Sequence, residues 1–235
     1  ENIIGKGISN SKKNCCEVSR AARCACGEAQ KRDLMDFLLK LAAYIFHPLL
    51  MPLLGVFLYY GMSPRFTDPE IMKASLMAVS IITVFIPIIM FFLLKNIGIL
   101  PSIHLEGVAD RKIPLMIQCV LLLLIIKMVF EPYDNTELYY FFVGILFSTI
   151  TALILVFFKF KISLHQMGIA GVTMFLIALG IHFKVNVLLS VGLFFIANGW
   201  VATSRLHTNS HTNVELVGGL VIGLLPQLIM VNFWL

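Results

Sequence analysis

The sequence predicts an all-α fold, a polytopic bundle of six to seven transmembrane helices. Of the 235 residues, 59% are hydrophobic and only 13% are charged, whereas an ordinary globular protein carries roughly 25% charged residues. The apolar residues form long continuous runs, each near the roughly 20 residues with which a helix crosses a bilayer. Within a bilayer only helices and closed barrels satisfy their backbone hydrogen bonds. Because the runs do not alternate between polar and apolar residues, a barrel is excluded.

The N-terminal stretch differs from the rest, and we expect a basic extension over 1–33 followed by a membrane domain over 34–235. Lysine and arginine outnumber the acidic residues in this extension, and the whole chain has a net charge of +5. A basic segment beside a span is typical of a flank attracted to anionic lipid, which we favour over nucleic-acid binding. Met35 stands just before the first apolar run. We expect the folded protein to begin near it, and the extension to be disordered or an upstream artefact.

The cysteines of the extension do not predict a metal site. Paired zinc ligands are normally separated by two or more residues, and these cysteines are closer together. They are Cys15, Cys16, Cys24 and Cys26.

Seven apolar runs follow the extension, and each is interpreted as a helix. The first run contains Pro48 and Pro52, which should kink it. His47 in the same run is interpreted as a hydrogen-bonded structural residue rather than a catalytic one. The runs cover 36–61, 73–95, 113–130, 138–159, 166–182, 186–203 and 213–233. Four glycines in the fifth and seventh runs should allow close helix approach: Gly168, Gly171, Gly219 and Gly223.

Three connections between these runs hold the unusual polar residues, namely 96–114, 160–168 and 204–215. Two runs separate the first connection from the second, and two more separate the second from the third. An even number of crossings returns the chain to the same face of the membrane. We therefore expect all three connections on one side, provided that every run between them spans the bilayer.

The third connection, "SRLHTNSHTNVE", suggests chemistry on phosphorus. His211 and Glu215 are four residues apart, so they share a face if both lie on the helix. A carboxylate beside an imidazole fixes its tautomer and stabilises its charged form. Arg205 adds a cation, and a helix N-terminus attracts anions. Histidine is one of the side chains that act as nucleophiles in group transfer.

The other two connections supply further cations and a second histidine. His165 is preceded by Lys161 and Ser163, and Arg111 by His104. Arginines that converge on a site bind phosphate oxygens bidentately, and a second histidine can protonate a leaving alkoxide. Because phosphoryl transfer depends mainly on positioning and charge, this set can act without a metal. Taken singly, the lysines, including Lys112 and Lys159, are more typical of membrane-interface anchors than of phosphate ligands.

The third connection resembles the third signature of the type 2 phosphatidic acid phosphatase superfamily, which reads Ser-Arg, five residues, His, three residues, Asp. Ser204, Arg205 and His211 match in register, and Glu215 replaces the aspartate. Glycines often follow the acid at four and eight residues in that family, as they do in this sequence.

Two further stretches are similar to the other signatures, in the same order. "ISLH" resembles Pro-Ser-Gly-His, with Ser163 and His165 matching. The first signature is Lys, six residues, Arg-Pro: Arg111 matches, His104 occupies the lysine position, and Pro114 comes two residues late. The family's usual bundle has six spans.

The resemblance implies roles for these residues. His211 would be the nucleophile that forms a phosphohistidine, Glu215 would orient it, and His165 would be the general acid. It further implies a substrate that is a lipid phosphate, and no cofactor or metal. The residues that would bind the phosphate are Arg111, Arg205, Lys112, Ser163 and Ser204.

The functional expectation is therefore a metal-independent lipid phosphatase. It would act on a lipid phosphomonoester or diphosphate in the bacterial inner membrane. The resemblance favours a site on the outer face, whereas the basic extension and seven spans would place it on the cytoplasmic face. The departures from the first two signatures keep an alternative open, a catalytically inactive relative that transports or binds lipid phosphates. The only other expected partners are membrane lipids.

Overall fold

The computed structural model describes residues 34–98 and 107–235. The predicted extension over 1–33, and His104 in the first connection, lie outside the described residues. The chain divides into two units, Glu1–Leu41 and Ala42–Leu235. In the first unit, the described residues are helical. The second unit is a helical bundle, and the features below belong to it.

All regular structure in the described part of this unit is helical, as predicted. Its helices correspond in order to the seven apolar runs. In chain order they are α1 (Met51–Met62), α2 (Pro69–Asn96, with a π-helical turn at Ile81–Phe85), α3 (Lys112–Met128), α4 (Thr136–Phe157), α5 (Leu164–His182), α6 (Leu188–His207) and α7 (Asn213–Val231).

The first apolar run is broken rather than kinked, so the prediction of one bent helix was wrong. A helix ends at residue 45, residues 46–50 are not helical, and α1 begins at Met51. Pro48 disfavours the helical conformation at the residue before it and lacks a backbone N–H. Pro52 lies in the first turn of α1, where a proline is tolerated because no hydrogen bond is lost.

In the described part of the chain, four helices are long and apolar enough to cross a membrane, namely α2, α4, α5 and α7. This architecture is typical of a polytopic membrane protein. Helix α1 has only 12 residues and α3 has 17. Helix α6 has 20 residues, but its second half carries Asn198, Arg205 and His207.

The bundle is organised around α5, the most buried of these four helices, which packs against α1, α6 and α7. Helices α5 and α7 approach each other closely at two glycines, as the sequence predicts. A Cβ added to Gly219 would lie 2.6 Å from the Ser163 carbonyl oxygen, and one added to Gly223 would collide with the Met167 carbonyl. Backbone therefore lies against backbone at this contact.

A buried polar network joins α5 to α6. Gln166 Nε2 donates to Asn198 Oδ1 at 2.9 Å, and Asn198 Nδ2 donates to Thr173 Oγ1 at 2.8 Å. All three side chains are buried. Amide hydrogen bonds of this kind stabilise helix pairs in membranes because the polar groups have few other partners there.

A second polar cluster lies at the C-terminal end of α5. The Glu137 carboxylate is 1% exposed and pairs with Arg65 at 2.9 Å and with His182 at 3.1 Å. The Tyr59 hydroxyl donates to the same carboxylate at 3.4 Å. These contacts link the α1–α2 connection to α4 and α5, and nothing in the spacing of the sequence indicated them.

The contact between α5 and α7 predicts the effect of Gly219→Ala. Alanine is the better helix former by about 1 kcal/mol, but its methyl group would lie 2.6 Å from the Ser163 carbonyl oxygen, and overpacking costs about 1–3 kcal/mol. We expect a lower midpoint of thermal unfolding for the purified protein. Gly192→Ala on α6 is the matched control, because nothing lies within 4 Å of its added Cβ. Equal midpoints for the two variants would contradict the role of this contact.

Candidate functional site

The three polar connections lie side by side at one end of the bundle, where hydrogen bonds join them directly. The Ser163 backbone N–H donates to the Glu215 carbonyl at 3.2 Å. Arg111 Nη1 donates to the Ile162 carbonyl at 3.0 Å, and Lys161 Nζ donates to the Ser210 carbonyl at 3.0 Å. Residues from the starts of α3, α5 and α7 are thereby held together.

A histidine–carboxylate pair lies where α7 begins. His211 Nδ1 is 2.6 Å from Glu215 Oε2, and the two side chains are 5% and 19% exposed. Thr212 caps the helix by accepting from the Glu215 backbone N–H. Because an ionised carboxylate only accepts hydrogen bonds, the proton of a neutral His211 ring lies on Nδ1. Its Nε2 atom therefore keeps a free lone pair.

Two cations adjoin this pair. Arg111 ends the short 3₁₀ turn before α3 and is only 9% exposed. Burial lowers the pKa of Arg111, and the nearby Glu215 carboxylate raises it in part. Both Arg111 and Lys161 act electrostatically on His211. A phosphate in contact with Nε2 of His211 would thus meet a partly desolvated guanidinium and an ammonium group.

His165 and Arg205 form the next part of the site. His165 lies in the first turn of α5, hydrogen bonds to the Ala43 backbone, and interacts electrostatically with Arg205 and His211. Arg205 lies in the last turn of α6, and its Nη2 donates to Ser204 Oγ at 3.4 Å. Its Nε atom is buried without a hydrogen-bond partner in the described structure, so a donor remains for a ligand.

The remaining predicted residues have other contacts. The buried Ser163 hydroxyl caps α5 by accepting from the Gln166 N–H at 3.4 Å. Ser204 is fully buried beside Arg205. The Lys112 ammonium lies 5.0 Å from the centroid of the Phe157 ring, a favourable cation–π position. Among the residues predicted to bind phosphate, Lys112 is therefore the one whose charge contacts an aromatic ring.

Two residues at the site were not among the predicted site residues. Lys161 was noted only as a neighbour of His165, and its position follows from the contact with Ser210. His47 was interpreted as structural, yet the centroid of its ring lies 5.4 Å from the centroid of the His165 ring. The sequence did contain a signal for His47, because an ionisable residue inside an apolar run is costly in a membrane and often has a functional role.

The protonation state of His211 favours nucleophilic chemistry. Burial lowers the pKa of His211 from its usual 6.5, and Arg111 and Lys161 lower it further, whereas the hydrogen bond and charge of Glu215 raise it. The ring is therefore neutral at pH 7, with Nε2 unprotonated. Among the described residues, no three or more His, Cys, Asp or Glu side chains form a group that could hold a metal ion.

Comparison with known proteins adds no assignment, because no protein family, curated protein or solved structure matches the chain. The geometry of the site and the chemistry of its side chains carry the functional argument.

The balance of charges around His211 predicts how its pKa responds to Glu215→Gln. The substitution removes the negative charge and weakens the hydrogen bond that raise this pKa, while Arg111 and Lys161 remain and lower it. We expect the pKa of His211 to lie below 6.5 in the original protein and lower still in the variant. Titration of the imidazole resonances by NMR, assigned with His211→Ala, measures both values. An upward shift in the variant would contradict this account of the pair.

Proposed function

We propose that this protein is an integral membrane lipid phosphatase of the type 2 phosphatidic acid phosphatase kind. It would hydrolyse a lipid phosphomonoester or diphosphate through a phosphohistidine intermediate without a metal. The observation that supports this most is the His211–Glu215 pair, 2.6 Å apart, surrounded by cationic and histidine side chains from three separate connections. Such a set can bind a phosphate and supply both a nucleophile and an acid.

In the first step, Nε2 of His211 attacks the phosphorus atom, and the bond from phosphorus to the leaving oxygen breaks. His165 would take up a proton as the anionic phosphate binds beside it, and it donates that proton to the leaving oxygen. Arg111 and Arg205 bind the remaining phosphoryl oxygens and stabilise the negative charge spread over them in the transition state. Glu215 holds the Nδ1 proton and stabilises the positive charge that develops on the His211 ring.

In the second step, water attacks the phosphohistidine, and the bond between phosphorus and nitrogen breaks. His165, now neutral, accepts a proton from the water, and that proton is released to solvent when phosphate leaves. Inorganic phosphate leaves and His211 is regenerated. Lys161, which was not among the predicted ligands, would add a cation beside the phosphoryl group in both steps.

The position of the site at the helix ends fits a substrate with its head group in water and its tails in lipid. We propose that six to seven of the helices span the bacterial inner membrane and that the site opens on its outer face. Membrane lipids would be the only other partners.

A second candidate function is binding or transport of a lipid phosphate without catalysis. The direction of Lys112 towards Phe157 and the nonmatching positions of the first two signatures favour it. Arg111 and Arg205 would then still bind phosphate analogues, and no phosphate would be released.

The proposal predicts that His211→Ala abolishes phosphate release. Loss of a nucleophile lowers the rate by about a thousandfold or more. Purified protein in nanodiscs would be assayed against a panel of phosphatidate, phosphatidylglycerol phosphate, polyprenyl diphosphate and lipid A. His207→Ala is the control, an exposed histidine four residues before His211, and should retain activity. Equal release by His211→Ala and the original protein would refute the mechanism, and binding without release would favour the second candidate.

Metal independence is a separate prediction. Because the proposed step uses only histidines and cationic side chains, treatment with EDTA should leave phosphate release unchanged. Loss of activity on chelation, restored by added divalent metal, would show that the reaction depends on an ion.

A further inference from the structure

The short connection between α4 and α5 holds both sides of the turn that carries His211. Lys161 Nζ donates to the Ser210 backbone carbonyl at 3.0 Å, and the Ser163 backbone N–H donates to the Glu215 backbone carbonyl at 3.2 Å. Ser210 immediately precedes His211, and Glu215 follows it by four residues. The proposed nucleophile therefore lies between two hydrogen bonds to the same stretch of chain.

This stretch has a fixed backbone at the place from which Lys161 extends. Helix α4 closes with Lys159 in the left-handed region, at a φ of 59°. The Phe160 N–H donates to the Leu155 carbonyl at 2.9 Å, as in a Schellman cap. Ile162 is buried, with 1% of its surface exposed. The side chain of Lys161 therefore starts from a backbone that is held on both sides.

The acceptor of the Lys161 hydrogen bond is the peptide group that joins Ser210 to His211. The end of α6 fixes one side of this group, because Asn209 takes a φ of 51° and the Ser210 N–H donates to the Arg205 carbonyl at 3.1 Å. A peptide group is planar, so a donor on its carbonyl also determines where its N–H and the following Cα lie. Lys161 thereby restrains the point from which the His211 side chain leaves the backbone.

From this arrangement we propose that Lys161 is a positioning residue for the nucleophile. Its hydrogen bond to the Ser210 carbonyl keeps Nε2 of His211 in line with the phosphorus atom, while Glu215 fixes the ring at Nδ1. The inference rests on the proposed function for its reaction and on the hydrogen bonds of the α4–α5 connection for the role of Lys161. No proton or phosphoryl group passes through Lys161 in either step.

A role in positioning differs from a role through charge alone. Lys161 also acts electrostatically on His211, as do Arg111, Glu215 and His165. A missing cation weakens the binding of any phosphate-like anion. A displaced imidazole weakens only those anions that need its nitrogen at the position of the attacking atom, and a displacement of about 1 Å costs about a hundredfold in rate.

Orthovanadate and methylphosphonate separate these two roles. Vanadate accepts a nitrogen as its fifth ligand and so imitates the in-line transition state of phosphoryl transfer, which an enzyme binds more tightly than its substrate. Methylphosphonate stays tetrahedral and imitates the ground state. The affinities are measured with the full chain in nanodiscs, and their ratio reports how well His211 is aligned.

We expect Lys161→Met to weaken vanadate binding about tenfold more than methylphosphonate binding, because the ring loses part of its alignment. Lys161→Arg keeps a charged donor and should retain most of the preference for vanadate. Lys159→Met is the matched control, an exposed lysine two residues earlier, and should leave both affinities unchanged. Equal weakening of the two probes in Lys161→Met, or no weakening, would overturn the proposal.

A second variant tests the hydrogen bond without the charge. Lys161→Gln removes the cation but can still donate an N–H. We expect it to weaken both probes by similar factors, and so to keep the preference for vanadate that Lys161→Met loses. If glutamine loses as much of this preference as methionine, the hydrogen bond does not align the ring. Unfolded protein in a sample lowers the number of sites and not the ratio of the two affinities.

His211→Ala separates a failure of this inference from a failure of the proposed function. In this variant vanadate should bind no more tightly than methylphosphonate. If the original protein shows no preference for vanadate that depends on His211, the proposed function fails. If the preference is present and Lys161→Met keeps it, only the positioning role of Lys161 fails.

Discussion

The close contact between α5 and α7 is the constraint on which the rest of the site depends. Gly219 and Gly223 lie against the carbonyl groups of α5, and the Ser163 N–H donates to the Glu215 carbonyl. A side chain larger than hydrogen would separate the two helices at this level. The turn that carries His165 and the turn that carries the histidine–carboxylate pair would separate with them. The geometry of the candidate site is thus set by backbone packing, before any charged side chain takes part.

Burial and charge are balanced differently at the two ends of the bundle. At one end Glu137 is almost fully buried, forms an ion pair with Arg65 and contacts His182, which is an arrangement that fixes helices in place. At the other end Arg111 donates to a backbone carbonyl, and Arg205 keeps an unsatisfied buried donor. Satisfied polar groups are typical of structural contacts, whereas an unsatisfied one indicates a place for a ligand. Arg205 thus differs from Arg65, whose guanidinium forms an ion pair with the buried Glu137 carboxylate.

The sequence predicted the parts of this structure that depend on local spacing. The seven apolar runs indicated the helices, and the interval of four residues indicated that His211 and Glu215 could pair. Counting runs indicated that the three connections would lie on the same side of the membrane. The sequence predicted six to seven membrane-crossing helices, whereas four of the described helices are long and apolar enough, because α1 and α3 are short and α6 is interrupted by polar residues. The position of His47 depends on a break at Pro48 and on packing against Gly168, and the direction of Lys112 depends on Phe157. Those contacts are tertiary, so spacing along the chain does not contain them.

The amide network between Gln166 and Asn198 has a consequence for the guanidinium group at the far end of α6. Lipid tails and apolar side chains discriminate poorly between rotations of a helix about its own axis. A buried amide pair does discriminate, since turning α6 would strand both polar groups in hydrocarbon. Arg205 follows Asn198 by seven residues, about two turns, and so lies on the same side of the helix. The amide pair therefore determines the direction in which Arg205 projects from the axis of α6. The guanidinium group does not need contacts of its own to hold that direction.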